Sequence, residues 1–193
     1  MKKHLALFLA CLLFAGNLFA QQHLSFKGVP IDGTLQEYTN AMVKAGFHHE
    51  GNYDGVSLLS GDFAGYKNCT IGVSSLKNLD VVSHIAVLFP NRDTWSAVLG
   101  DYENLKTMLT KKYGYPTDSK EKFTGYIGDN DNYFIMKALK EDKYEWYTIF
   151  STELGDIELS IISGTEHGTG CVRLSYYDKV NSEKVRNSAI DDL

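Results

Sequence analysis

The apolar positions along this chain recur with two spacings, and the changes between them divide it into elements. Leu5 to Phe14 is an almost unbroken apolar run behind Lys2, Lys3 and His4, and small residues close it at Ala20. This order of basic, apolar and small-residue regions predicts a secretory signal peptide over 1–20. The run is shorter than the roughly 20 residues that cross a bilayer, and no stop-transfer pattern follows it. Cys11 falls too early in the run to serve as a lipoprotein cysteine. Beyond residue 20, Leu24–Val29 alternates weakly, as a short lead strand. Thr34 followed by Glu37 forms a capping-box pattern. Leu35, Tyr38, Met42 and Ala45 then follow at helical spacing, and Gly46-Phe47 closes that helix.

Three strand-like segments come next, at Val56–Tyr66, Cys69–Ser74 and Val81–Phe89. A second helix is predicted from the stripe Trp95, Val98, Leu99, Tyr102, Leu105, Met108 and Leu109. Asp93 or Thr94 would cap it, with Lys111 and Lys112 in its last turn. Residues 117–142 are the least regular. Phe123 and Tyr126 would anchor one short helix there, Asn132–Lys140 would form another, and Asp129–Asn132 would be loop. Three more strands are predicted at Tyr144–Thr152, Ile157–Ile161 and Cys171–Tyr177, with a turn at Gly155-Asp156. A last helix is predicted at 182–190, capped by Ser182.

The order is therefore helix, three strands, helix, three strands. It predicts one α+β domain over 21–193, in two layers, with helices on one face of an antiparallel sheet. The domain would comprise two helix-plus-three-strand repeats, at about 24–90 and 91–178. Gly61-Asp62 and Gly155-Asp156 hold similar places in the two triplets. In this order of elements, Thr34 to Tyr177 resembles the β-lactamase-inhibitor-protein-like fold, a tandem repeat of a helical segment and a meander. Leu174 to Asn181 (LSYYDKVN) and the closing Ala189 to Leu193 (AIDDL) also look like small exported bacterial proteins of unassigned function. The resemblance implies a sheet used to bind proteins. It carries over no inhibitory residue, because none matches.

Charge narrows the partners. Removing Lys2 and Lys3 with the signal peptide leaves 17 of the 19 basic residues against 24 acidic ones, a net charge of −7. An acidic chain without a basic stripe argues against nucleic acid. It also argues against an anionic membrane surface. Of the three cysteines, Cys69 and Cys171 survive cleavage and are candidates for a disulfide in an oxidising compartment. Alternation opposes that bridge, since it places Cys69 on the apolar face of its strand and Cys171 opposite Val172 and Leu174. His48-His49-Glu50 reads as a solvated loop, because adjacent strand residues point apart and cannot present two imidazoles to one metal. Asp129–Asn132 departs from the calcium-loop pattern at Phe134 and Lys140. No nucleophile elbow, Walker A loop or dinucleotide fingerprint is found, so no cofactor is expected.

The remaining signal is aromatic. Alternation sends Tyr147 to the face opposite Tyr144, Trp146 and Phe150, and groups Arg173 with Tyr177 away from Val172 and Leu174. Tyr and Arg on an uncovered sheet face are residue types that anchor protein partners. The sequence thus predicts an exported, periplasmic or secreted, noncatalytic binding domain. Arg173, Tyr177, Tyr147 and His84 would form its binding surface, with a protein partner, no nucleic acid and no membrane span after signal cleavage. The alternatives are a small secreted hydrolase with its site near 117–142, and an envelope assembly factor that adds a strand to a partner.

Overall fold

The computed structural model describes residues 22–76, 79–125 and 131–191. The predicted signal peptide, Tyr126 and the Asp129-Asn130 pair lie outside them. The chain opens with a small hairpin, β1 (Ser25–Phe26) and β2 (Val29–Pro30), followed by α1 (Leu35–Lys44). Four strands follow: β3 (His48–Tyr53), β4 (Val56–Phe63), β5 (Tyr66–Leu76) and β6 (Val81–Leu88). Then come α2 (Trp95–Tyr113), β7 (Asp118–Phe123), α3 (Asn132–Lys140), β8 (Tyr144–Thr152), β9 (Gly155–Ser163), β10 (Gly170–Asp178) and α4 (Lys179–Asp191).

The local chemistry explains the helix limits. Thr34 and Glu37 satisfy each other's backbone amides in a full capping box. At the other end Gly46 takes φ +99°, and the amides of Gly46 and Phe47 donate to the Val43 and Met42 carbonyls. That satisfies two end carbonyls and turns Phe47 into the core. Thr94 caps α2, whose buried stripe is Val98, Tyr102, Leu105 and Leu109; Met108, expected in that stripe, is exposed.

The protein is α+β, with one eight-stranded antiparallel sheet in the order β3-β4-β5-β6-β10-β9-β8-β7. Two consecutive meanders meet where β6 pairs with β10. Each meander has one strand more than the pattern predicts. His48–Tyr53, whose first three residues were expected as loop, pairs with β4, and Asp118–Phe123, whose end was expected to anchor a helix, pairs with β8. Both lie at sheet edges, so neither needs the apolar alternation that marks a central strand. Two glycines hold close approaches, and the turn expected at Gly155-Asp156 lies earlier. Gly61-Asp62 lies within β4, where a side chain at Gly61 would come within 2.6 Å of the Phe47 ring. Gly155 is the first residue of β9, where a Cβ would collide with the Tyr177 carbonyl. The C-terminal helix begins at Lys179, ahead of Ser182.

One face of the sheet forms the core. Leu59, Ile71, Val73, Ile85, Val87, Leu174, Tyr176, Ile157, Leu159 and Phe150 join a single buried cluster with Tyr38 and Met42 of α1, the α2 stripe, and Met136 and Leu139 of α3. Trp95 of α2 packs edge-on to Trp146 at 4.7 Å, and Phe123 closes the group. Near the start of α4, Asn181 ties the chain ends together, donating to the Ile31 and Val82 carbonyls and to Asp32. The neighbouring Asp178 carboxylate accepts from the amides of Leu24 and Asn181 and bonds His23 Nδ1 at 3.0 Å.

Candidate functional site: the open face of the sheet

Strand alternation that buries every second residue leaves the others on the opposite face, and there small and polar side chains predominate, with Leu88, Ile149 and tyrosines among them. Register sets the rows. Tyr147, Ser160, Arg173, Leu88 and Thr70 lie side by side across β8, β9, β10, β6 and β5. Ile149, Glu158, Ser175, Ala86 and Gly72 form the next row, and Ser151, Asp156, Tyr177, His84 and Ser74 the one after. All four residues predicted for a binding surface therefore share this face. His84 and Tyr177 are cross-strand partners whose rings stack at 4.5 Å and 7°. Arg173 lies two rows along β10, and Tyr147 shares its row across Ser160.

The charges on this face are largely paired within it. Arg173 Nη2 meets Glu158 at 3.1 Å, Lys120 meets Glu145 at 2.9 Å, and the Tyr147 hydroxyl donates to Asp118 at 3.3 Å. Beneath them sit polar atoms with no partner among the described residues: Ser160 Oγ, Ser175 Oγ, Arg173 Nε and His84 Nε2. Ser160 and Ser175 are 5% and 1% exposed. Burial, aided by the nearby Arg173 charge, holds the His84 imidazole down at about 4, so the ring is neutral near pH 7. Sequence reasoning missed Ser160, Ser175 and Glu158 as members of the group. Alternation along β10 already puts Ser175 on the face of Arg173, but only the β9–β10 pairing places Ser160 and Glu158 beside it.

The two cysteines are free, on opposite faces, as alternation requires. Cys69 faces the core and donates to the Tyr66 carbonyl, whereas Cys171 is buried at the end of the open face. Burial pushes both thiols up to about 11, which keeps them protonated and slow to react. His48 to Glu50 lies in β3, where His49 bonds Asn52 and Glu50 bonds Ser60. Among the described residues no group of three His, Cys, Asp or Glu side chains is placed to hold a metal ion. Among the same residues no helix is long and apolar enough to cross a membrane.

Both sheet edges are guarded, which bears on strand addition to a partner. β3 carries a bulge between His49 and Gly51, and β7 reads Asp-Ser-Lys-Glu-Lys-Phe. A separate groove of about 690 Å³ lies beside the 117–142 segment, lined by α3 and by His167 and Gly168 of the β9–β10 loop. Comparison of the chain with protein-family models, with curated proteins and with solved structures finds no match.

Proposed function

We propose that this chain is an exported, noncatalytic binding domain whose open sheet face, centred on Arg173, Ser175 and Ser160, holds a protein partner. The observation that carries this reading is the contiguous group of buried, unpartnered polar atoms on that face. Native structures leave few such atoms, because each costs about 1–3 kcal/mol. A group of them on one face marks donors and acceptors that complete their bonding with something laid on it. Tyr177, His84 and Tyr147 supply aromatic area around the group, of the kind that anchors protein partners. Export rests on the sequence of residues 1–20. The two meanders are read as halves of a tandem repeat of the β-lactamase-inhibitor-protein-like kind. Supporting this, each follows a helix, and their last strands lie together at the sheet centre.

The test is capture from an envelope extract with the mature domain. The wild type is compared with Arg173→Glu/Tyr177→Ala and with Lys111→Glu/Lys112→Glu, a control pair of exposed residues in the last turn of α2. The open-face pair should lose the captured species and the α2 pair should keep it. Equal retention by both would remove the open face from the reading. The second reading, a small secreted hydrolase, draws on the groove beside 117–142, where Lys140, His167 and Glu141 line one concavity. Turnover of an ester or amide probe, abolished by His167→Ala, would favour it.

A further inference from the structure

We propose that the groove between α3 and the β9–β10 loop binds small organic carboxylates that carry an apolar body. This goes beyond the protein-binding reading and uses a different part of the molecule. Tyr133, Met136, Lys137 and Lys140 of α3 line the groove. Their spacing places them along one stripe of the helix, about 10 Å from end to end. The stripe is apolar and aromatic at one end and cationic at the other. The groove, at about 690 Å³, falls within the usual range for small-molecule sites.

The charges of the groove single out Lys140. Lys137 is met by Glu141 at 3.7 Å, and Glu141 is also held by Lys143 at 2.7 Å. The Asp131 carboxylate is engaged in capping α3 through the Tyr133 amide. Lys140 instead lies 3.2 Å from His167 Nε2. An ammonium can only donate, so the imidazole accepts at Nε2 in this contact. Among the described residues no carboxylate lies within ion-pair distance of Lys140, and its other N–H groups remain available to an anion. Asp93 also lines the groove and, next to the Thr94 cap, belongs to the α2 side. Like charge there and the negative C-terminal end of the α3 dipole repel an anion, so binding depends on Lys140. The carboxylate bonds Lys140, and the apolar body lies along Met136 and the exposed Tyr133 ring.

The probes are octanoate and 3-phenylpropionate, titrated into the purified mature domain and followed by calorimetry and by amide shifts. Saturable binding is expected, with shifts confined to α3 and residues 165–168. Lys140→Gln should weaken it roughly tenfold or more, the loss expected for a charge-assisted hydrogen bond. Tyr133→Ala should weaken it several-fold, and neither variant should change the melting temperature. Octanol at the same concentration should not compete. Equal affinity of Lys140→Gln, competition by octanol, or no saturation by about 10 mM would overturn the proposal. Open-face variants should leave carboxylate binding intact, and Lys140→Gln should leave partner capture intact, so the two proposals fail separately.

Discussion

The two faces of the sheet are built from the same strands, yet they solve opposite problems. On the helix side, β-branched and aromatic residues interdigitate with α1, α2 and α3 into one continuous buried cluster. On the open side, Gly72, Ala86, Ser160 and Ser175 keep the centre low, while Arg173, Glu158, Tyr177 and Tyr147 stand around it. The first face gains stability from apolar area removed from water, at about 25 cal/mol per Å². The second holds Ser160, Ser175, Arg173 and His84 atoms with no partner among the described residues, where the first holds two such atoms, on Tyr38 and Trp146. The apolar core residues and the largely polar outward residues are thus separated by the two-residue period of the strand.

The separation is testable, and the largest effect belongs to the core face. Leu159→Ala empties a site that is 0% exposed and should cost about 2–5 kcal/mol in denaturant unfolding. Arg173→Ala/Tyr177→Ala, on the neighbouring strand β10 but facing outward, should cost about 1 kcal/mol or less. A loss comparable to that of Leu159→Ala would place these residues in the core and break the comparison.

The next effect depends on pH. With His84 held near 4, against an ordinary value of 6.5, the folded state takes up its proton less readily than the unfolded chain. The stability from this group is fully present above pH 6.5 and is lost as pH falls toward 4, by up to about 3 kcal/mol. Glu37 and Glu145 are also held below their ordinary values, by the Thr34 amide and by Lys120. His84→Gln should therefore flatten the slope between pH 6.5 and 4.5 in urea titrations, and an unchanged slope would assign it elsewhere. The smallest effect is expected at Ser175→Ala, which removes an unmet hydroxyl. Thermal melts should show a change of less than about 1 kcal/mol, in the stabilising direction. A clear destabilisation would mean that the hydroxyl is already bonded.

The sequence was most legible where local chemistry decides the outcome. Thr34 with Glu37, Gly46 with Phe47, and the α2 stripe are all short-range; the first two appear at the expected residues, and the stripe is buried at Val98, Tyr102, Leu105 and Leu109 but not at Met108. Asn132–Lys140 was also legible as a helix, because Ile135, Met136 and Leu139 give it a buried face. His48–Tyr53 and Asp118–Phe123 were not. Edge strands are held by one ladder of hydrogen bonds to a neighbour and expose polar side chains, so no apolar period identifies them. The candidate site was half legible. Alternation placed Arg173 with Tyr177 and turned Tyr147 away from Trp146. It did not reveal that His84 stacks on Tyr177, since those residues are far apart in sequence and meet only through the β6–β10 pairing.

The sequence by itself determined which residues of each central strand face the core, because the period of two leaves no choice once one face is buried. It also determined that Cys69 and Cys171 point to opposite sides. Only the tertiary structure decided which strands are neighbours, and so which outward residues share a surface. Strand pairing is non-local, and the rows that join Arg173 to Ser160 and His84 to Tyr177 exist only after the two meanders close on each other through β6 and β10.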